Sequence, residues 1–206
     1  MNILQSWQEE LQAAEPSNLA EFNTKETALI VIDVIRGFVE KGALADPTVA
    51  EIIPVINDAA NALPLAQTFT LRDCHAKGCR EFEVFPEHCL EGSAESELAE
   101  GLFLKDAIDL KKNSTNGFFA FLPYLKQYRH LIVTGDCTDI CVLQFALTAK
   151  GYCNEQNLPV DVVLVANAVD TFGSPTHPKD VYQTVALKLM QNAGIRIVRF
   201  VGSSAS

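Results

Sequence analysis

Cys141 stands in the run Val133-Thr134-Gly135-Asp136-Cys137-Thr138-Asp139-Ile140-Cys141-Val142. An apolar stretch breaks there at a glycine, Thr138 and Asp139 offer capping side chains, and helical spacing follows until Gly151. A cysteine at such a junction lies among unpaired backbone N–H groups at the positive end of a helix dipole. That environment predicts a thiol held below its free value of about 8.5, and so a thiolate nucleophile. Position alone fits a buried structural cysteine as well, so partners elsewhere must decide. A thiol nucleophile needs a group to take its proton and one to protonate the leaving group. Asp33, directly after the apolar run Thr27–Ile32, is the best-placed carboxylate. Lys112 falls in a polar loop before Phe118; beside a carboxylate and a thiol it would favour the anionic form of both.

A second constellation is Asp73-x-His75 with Glu81 and His88. Imidazole with carboxylate suits zinc, manganese or iron and leaves positions open for water or substrate. In an extended D-x-H, residues 73 and 75 share a face and Cys74 points away. A closed zinc site on Cys74, Cys79, Cys89 and a histidine is the rival, but its spacing matches no usual zinc ribbon.

Those residues need a scaffold. The 206 residues suffice for one domain with a substantial core, and 48% hydrophobic against 20% charged residues is an ordinary globular balance. A net charge of −10 argues against nucleic acid or an anionic membrane as partner. No run is long enough to span a bilayer, the N-terminus lacks a signal-peptide core, and six cysteines without a small secreted framework fit reduced thiols in a cytoplasm. Residues 1–26 read as a helical arm, with an amphipathic helix over Ile3–Ala14, and 27–206 as the domain. Buried strands are expected at 27–33, 66–71, 130–134, 160–166 and 195–201. Helices are expected over 46–62 (with Pro54 as a kink), before Tyr128, after Cys141, and from Pro178 to about Asn192. Residues 76–94 and 171–178 are loops. This alternation predicts an α/β fold, a three-layer α/β/α arrangement with a mainly parallel Rossmann-like sheet and helices on both faces. In such sheets ligands bind at the carboxyl ends of the strands, where Asp33, Asp73 and Cys141 all fall. His177, between Pro175 and Pro178, reads as a structural or surface residue.

Together these residues resemble the isochorismatase-like cysteine hydrolase superfamily, and within it the nicotinamidases. The matching segments are the strand ending in Asp33 with Phe38 five residues on, Lys112 in K-x-x-x-N-G-F, and G-x-x-T-D-I-C-V at Gly135–Val142. The resemblance implies Cys141 as nucleophile, Asp33 as proton acceptor and donor, and Lys112 as the cation between them. It also implies a cis peptide between Asp136 and Cys137, and an oxyanion hole from the backbone N–H groups of Cys137 and Cys141. Asp73, His75 and His88, with Phe85-Pro86-Glu87-His88, resemble the nicotinamidase metal loop, and Glu81 a fourth ligand found in some members. One divalent transition metal is implied, zinc first, with manganese or iron as alternatives. The implied reaction converts nicotinamide to nicotinate and ammonia through a thioester on Cys141, a step of NAD salvage. Phe38 would line the pocket for this small carboxamide, and a homo-oligomer, dimer or tetramer, is expected. The departures are Asn113-Ser114-Thr115-Asn116-Gly117, where many relatives carry a pocket aromatic, a longer arm, and a spacing from His75 to His88 shorter than in some relatives. Another amide or carbamoyl hydrolase of the superfamily is the alternative, and a non-catalytic binding relative a further one. A carbamoyl substrate would call on a basic residue such as Arg36, Arg72 or Arg80.

Overall fold

Seven strands form a single sheet in the computed structural model, which describes residues 2–202. Met1 and the last four residues of the 27–206 assignment lie outside the described residues. The strands are β1 (Glu15–Ser17), β2 (Thr27–Ile32), β3 (Gln67–Asp73), β4 (Ile108–Lys112), β5 (His130–Asp136), β6 (Asp161–Asp170) and β7 (Arg196–Phe200). Their order is β1-β7-β6-β5-β2-β3-β4, and every pairing is parallel. The helices are α1 (Ile3–Gln12), α2 (Arg36–Val39), α3 (Ile52–Ala62), α4 (Phe118–Phe121), α5 (Leu143–Glu155) and α6 (Lys179–Asn192). This is the expected three-layer α/β/α architecture.

The sheet is central because its strands are apolar on both faces. All six residues of β2 are buried. Side chains alternate across a strand, so Ile30 and Ile32 join Phe69, Leu71, Val133, Phe121 and Phe145 under α4, α5 and α6. Leu29 and Val31 point the other way, onto Ile52, Ile53 and Ile56 of α3. Among the described residues no helix is long and apolar enough to cross a membrane. The N-terminal arm lies against the domain: β1 extends the sheet beside β7, and Lys188 of α6 bonds Glu10 of α1 at 2.7 Å.

The chain runs from β2 outward to β3 and β4 on one side, and later to β5, β6 and β7 on the other. Strand order therefore reverses between β2 and β5, and a crevice opens beyond their carboxyl ends. Gly135 makes the close approach there possible. Its φ is +115°, and a Cβ at this position would lie 2.0 Å from the carbonyl oxygen of Ile32. Side chains are excluded on both counts.

Several sequence expectations are corrected. Gly135 does not break β5, which runs on to Asp136. Lys112 is not in a loop: it closes β4, paired with Asp73 of β3. That edge strand is short and half polar, with Asp109 and Lys111 outward, so it carries little apolar signal. The helix after Cys141 does not stop before Gly151 but continues to Glu155. Gly151 faces open space, and buried Cys153 extends the apolar stripe past it, which outweighs a glycine cost of about 1 kcal/mol. The helix expected over 46–62 is divided upstream of Pro54. A 3-10 turn over Pro47–Glu51 passes into α3 at Ile52, so Pro54 sits in the first turn, where backbone N–H groups have no helical acceptor.

Candidate active site

Four neighbouring strands deliver polar side chains to the crevice. Asp33 follows β2, Asp73 closes β3, Lys112 closes β4, and Cys137 with Cys141 follow β5. Asp33 turns the chain with φ +51°, a left-handed conformation that aspartate tolerates better than most residues. Its backbone N–H donates to Leu71, and its Oδ1 accepts from the Asp73 N–H at 2.7 Å. Lys112 is 2% exposed and is held between two carboxylates, 2.7 Å from Asp33 Oδ2 and 2.5 Å from Asp73 Oδ1. Its ammonium reaches the Cys141 Sγ at 3.9 Å. The ligating atoms of Asp33, Asp73 and Cys141 all lie within 4.8 Å of one another.

The charges sort themselves by burial and by Lys112. Burial, then the neighbouring Asp73, raises the Asp33 carboxyl to about 7, against the pull of Lys112. Burial also acts on Asp73, but Lys112 and the two histidines outweigh it and hold that carboxyl well below the usual range. Lys112 stays charged, because the acids around it outweigh its own burial. Burial pushes the Cys141 thiol well above its ordinary value. The expectation of a resting thiolate is therefore corrected: the cysteine lies under protein, where desolvation of the anion exceeds the help of a helix end. A neutral thiol facing a carboxylate that titrates near 7 is the arrangement that results.

Cys141 is carried by a π-helical turn, Thr138–Val142, that leads into α5. Thr138 and Asp139 do not cap it. The Asp139 carboxylate turns instead to Thr171 and His177, at 2.5 and 2.8 Å. The Asp136–Cys137 peptide is cis. The backbone N–H of Cys137 precedes the turn and that of Cys141 lies within it, where helical acceptors are lacking.

Asp73 also belongs to a second group. Asp73, His75 and His88 are buried and their ligating atoms converge. The two Nε2 atoms are 3.2 Å apart, and Asp73 Oδ2 lies 3.4 and 3.8 Å from them. Ligands about 2.0–2.1 Å from a tetrahedral ion are separated by roughly 3.3 Å, so these spacings fit a transition metal. His88 Nδ1 donates to the Pro86 carbonyl at 2.8 Å, which leaves Nε2 as the lone-pair nitrogen. Glu81 Oε1 accepts from Thr115 N at 2.6 Å, while buried Oε2, 3.9 Å from His75 Nε2, has no hydrogen-bond partner among the described residues. That orphaned oxygen faces the group, although it lies outside the set of donor atoms within 4.8 Å of one another. The cysteine alternative is not assembled: Cys89 packs with Ile35 and Phe38, and the Cys79 thiol faces the Asn113 carbonyl.

Both groups open into a cavity of about 430 Å³, walled by Phe38, Leu44, Phe85, Ile140 and Phe172, with Asp73, His88, Cys137 and Cys141 at its floor. Phe38 leans on His88 with ring centroids 5.7 Å apart. No arginine among the described residues lines it. Arg36 pairs with Glu40, Glu97 and Glu100, Arg72 with Asp109, and Arg80 with Glu83. Phe172 and Ile140 escaped the sequence reading, since nothing in a loop phenylalanine or a helical isoleucine distinguishes wall from core. His177, expected as a structural or surface residue, is a structural one, stacked between Phe172 and Tyr182 and bonded to the Cys141 turn through Asp139. The signal for that bond, a histidine in the loop after β6, was too weak to find.

Comparison with known proteins identifies the family and the fold. The model of the isochorismatase domain matches residues 27–199. Nicotinamidase 1 of Arabidopsis thaliana is 30% identical, over 82% of this chain and 84% of its own. Among solved structures, a pyrazinamidase of Pyrococcus horikoshii in complex with zinc superposes with a TM-score of 0.69 at 27% identity, covering 85% of this chain and 99% of that one. An N-carbamoylsarcosine amidase from Thermoplasma acidophilum gives 0.68 at 18% identity, covering 84% and 96%.

Proposed function

The chain belongs to the isochorismatase-domain family and is a hydrolase, and on that premise we propose that it is a metal-dependent cysteine amidohydrolase that converts nicotinamide to nicotinate and ammonia, a step of NAD salvage. The observation that carries this is the meeting of two groups in one apolar cavity: Cys141, Asp33 and Lys112 on one side, Asp73, His75 and His88 on the other. Thiol, acid and lysine are the parts of acyl transfer. The imidazole–carboxylate set beside them suits a heteroaromatic ring. The two relatives named for nicotinamide and pyrazinamide chemistry, 30% and 27% identical, support the same substrate class. The absence of a wall arginine among the described residues favours a neutral amide over a carbamoyl acid.

Asp33 takes the thiol proton of Cys141 as the sulfur attacks the carboxamide carbon. A carboxyl near 7 suits a group that must both accept and return a proton at neutral pH. The N–H groups of Cys137 and Cys141 receive the developing oxyanion. Asp33 then protonates the leaving nitrogen, ammonia departs, and a thioester remains. In the second half Asp33 takes a proton from water, hydroxide adds to the thioester, and the carboxylate leaves as the thiol regains its proton. Lys112 keeps Asp33 and Asp73 oriented and balances their charge throughout. Asp73, His75, His88 and Glu81 would hold a divalent transition metal, zinc first. When bound, that ion supplies a Lewis-acid site for a ring nitrogen. Phe38, Phe85 and Phe172 enclose the ring and exclude bulk water.

The test is ammonia release from nicotinamide by purified protein supplied with zinc, manganese or iron. Turnover that disappears in Cys141→Ala is expected. No release with any of the three metals would end the nicotinamidase reading.

A further inference from the structure

His177 lies outside both groups, yet it is among the most constrained side chains at the crevice. Its ring is sandwiched between Phe172, at 3.9 Å and 11°, and Tyr182, at 3.7 Å and 21°. Nδ1 lies 3.0 Å from the Phe172 carbonyl oxygen, and Nε2 lies 2.8 Å from Asp139 Oδ2. Both ring nitrogens are thus engaged, one by the carbonyl of the wall residue and the other by the carboxylate of the Cys141 turn. The other Asp139 oxygen accepts from Thr171 Oγ1 at 2.5 Å. The loop is tied off further by the paired backbone bonds of Ser174 with His177, and by the Gly173 N–H on Asp46 Oδ2 at 3.0 Å.

These bonds join two pieces of the pocket. Asp139 belongs to the turn that carries Cys141 and is followed by the wall residue Ile140. Phe172 is the wall contributed by the loop after β6. We propose that His177 is a positioning residue: it clamps the Phe172 wall to the Cys141 turn through Asp139, and so fixes the width of the slot that receives a flat ring. The ring itself rests on the nicotinamidase reading; the clamp does not. The chemical groups hang from β2, β4 and the π-helical turn, so the clamp governs ring capture more than bond breaking.

Steady-state kinetics on metal-loaded protein tests this. His177→Ala is expected to raise KM for nicotinamide about tenfold with kcat within about threefold, the pattern of lost uniform binding. Asp139→Asn should behave alike, and the double variant should be no worse than either single one, since the two act as one unit. A second measurement does not depend on the substrate. Alkylation of Cys141, followed on its peptide by mass spectrometry, is compared between chloroacetamide and N-benzylchloroacetamide. Wild type should favour the benzyl reagent, and His177→Ala should lose that preference while the small reagent reacts at an unchanged rate. The milder His177→Gln, which keeps one donor and no stacking, should fall between on both measurements and guards against misfolding of the alanine variant. If wild type does not hydrolyse nicotinamide, the functional reading fails and the alkylation ratio still decides the clamp. An unchanged KM and an unchanged ratio in His177→Ala would overturn the proposal, as would a fall in kcat alone.

Discussion

Lys112→Met removes a cation that is 2% exposed and wedged between two carboxylates at 2.7 and 2.5 Å. Methionine matches the stem of lysine in volume, so the change is one of charge. Removing one member of a buried ion pair costs about 3–5 kcal/mol, because the remaining charge is left uncompensated. For a chain of this size 1 kcal/mol shifts Tm by about 2–4 °C, so a fall on the order of 10 °C is expected near neutral pH. The pH dependence carries a sign. Without Lys112, Asp33 loses the group that restrains its rise and titrates above its present value of about 7. A raised carboxyl contributes stability that is full below the unfolded value near 3.8 and is lost as pH rises through the folded one. The deficit of the variant should therefore be largest above about pH 7 and shrink toward pH 4. Thermal melts followed by circular dichroism in EDTA, across that range, measure it without metal in the balance. Equal melting temperatures for wild type and Lys112→Met at about pH 8 would refute the charge argument.

Other outcomes are equally direct. Cys141→Ala should lower amide hydrolysis by about a thousandfold or more while the melting temperature changes little, since the nucleophile rather than packing is lost; full activity would sink the mechanism. His88→Ala should lower bound zinc per chain well below one, and Glu81→Gln should weaken zinc affinity by roughly tenfold or more, as read by competition with a chelator. Unaltered zinc content in His88→Ala would remove that histidine from the ligand set. Two glycine variants should diverge. Gly135→Ala places a Cβ 2.0 Å from the Ile32 oxygen at φ +115° and should cost more than about 3 kcal/mol, whereas Gly151→Ala meets nothing within 4 Å and should stabilise α5 by up to about 1 kcal/mol in denaturant unfolding.

How much of this was legible depends on what each residue had to say locally. β2 and β5 announce themselves as unbroken apolar runs because both faces of the sheet are covered. Asp33 and Asp73 could be placed at a common edge from the end points of β2 and β3 alone. β4 could not be seen: an edge strand with one inward row gives Ile108, Leu110 and Lys112 alternating with charge, a pattern shared by exposed loops. The thiol of Cys141 was misjudged for a different reason. A helix end is visible in sequence, but the depth of cover over the sulfur is a property of the folded crevice. Likewise His177 lies 38 residues from Asp139 and meets it only through the return of β6, a pairing that no local pattern encodes.

Asp73 has one further consequence. Its Oδ1 faces Lys112 and its Oδ2 faces the two histidines, so a single carboxylate is a member of both groups. A cation drawn to Oδ2 takes negative charge away from the surroundings of Lys112, and the lysine is freed to favour the ionised form of Asp33. Occupancy of one site thus sets the basicity of the other. Reciprocity then requires the proton on Asp33 to weaken the hold on the cation by the same factor. Zinc titrations of wild type against Asp33→Asn, below and above about pH 7, would read that factor as the difference between the two, since protons on the ligand histidines act on both alike, and equal affinities at both pH values would show the two sites to be independent. Unequal affinities would make the crevice a proton-linked metal site, in which loading and readiness for catalysis are one equilibrium.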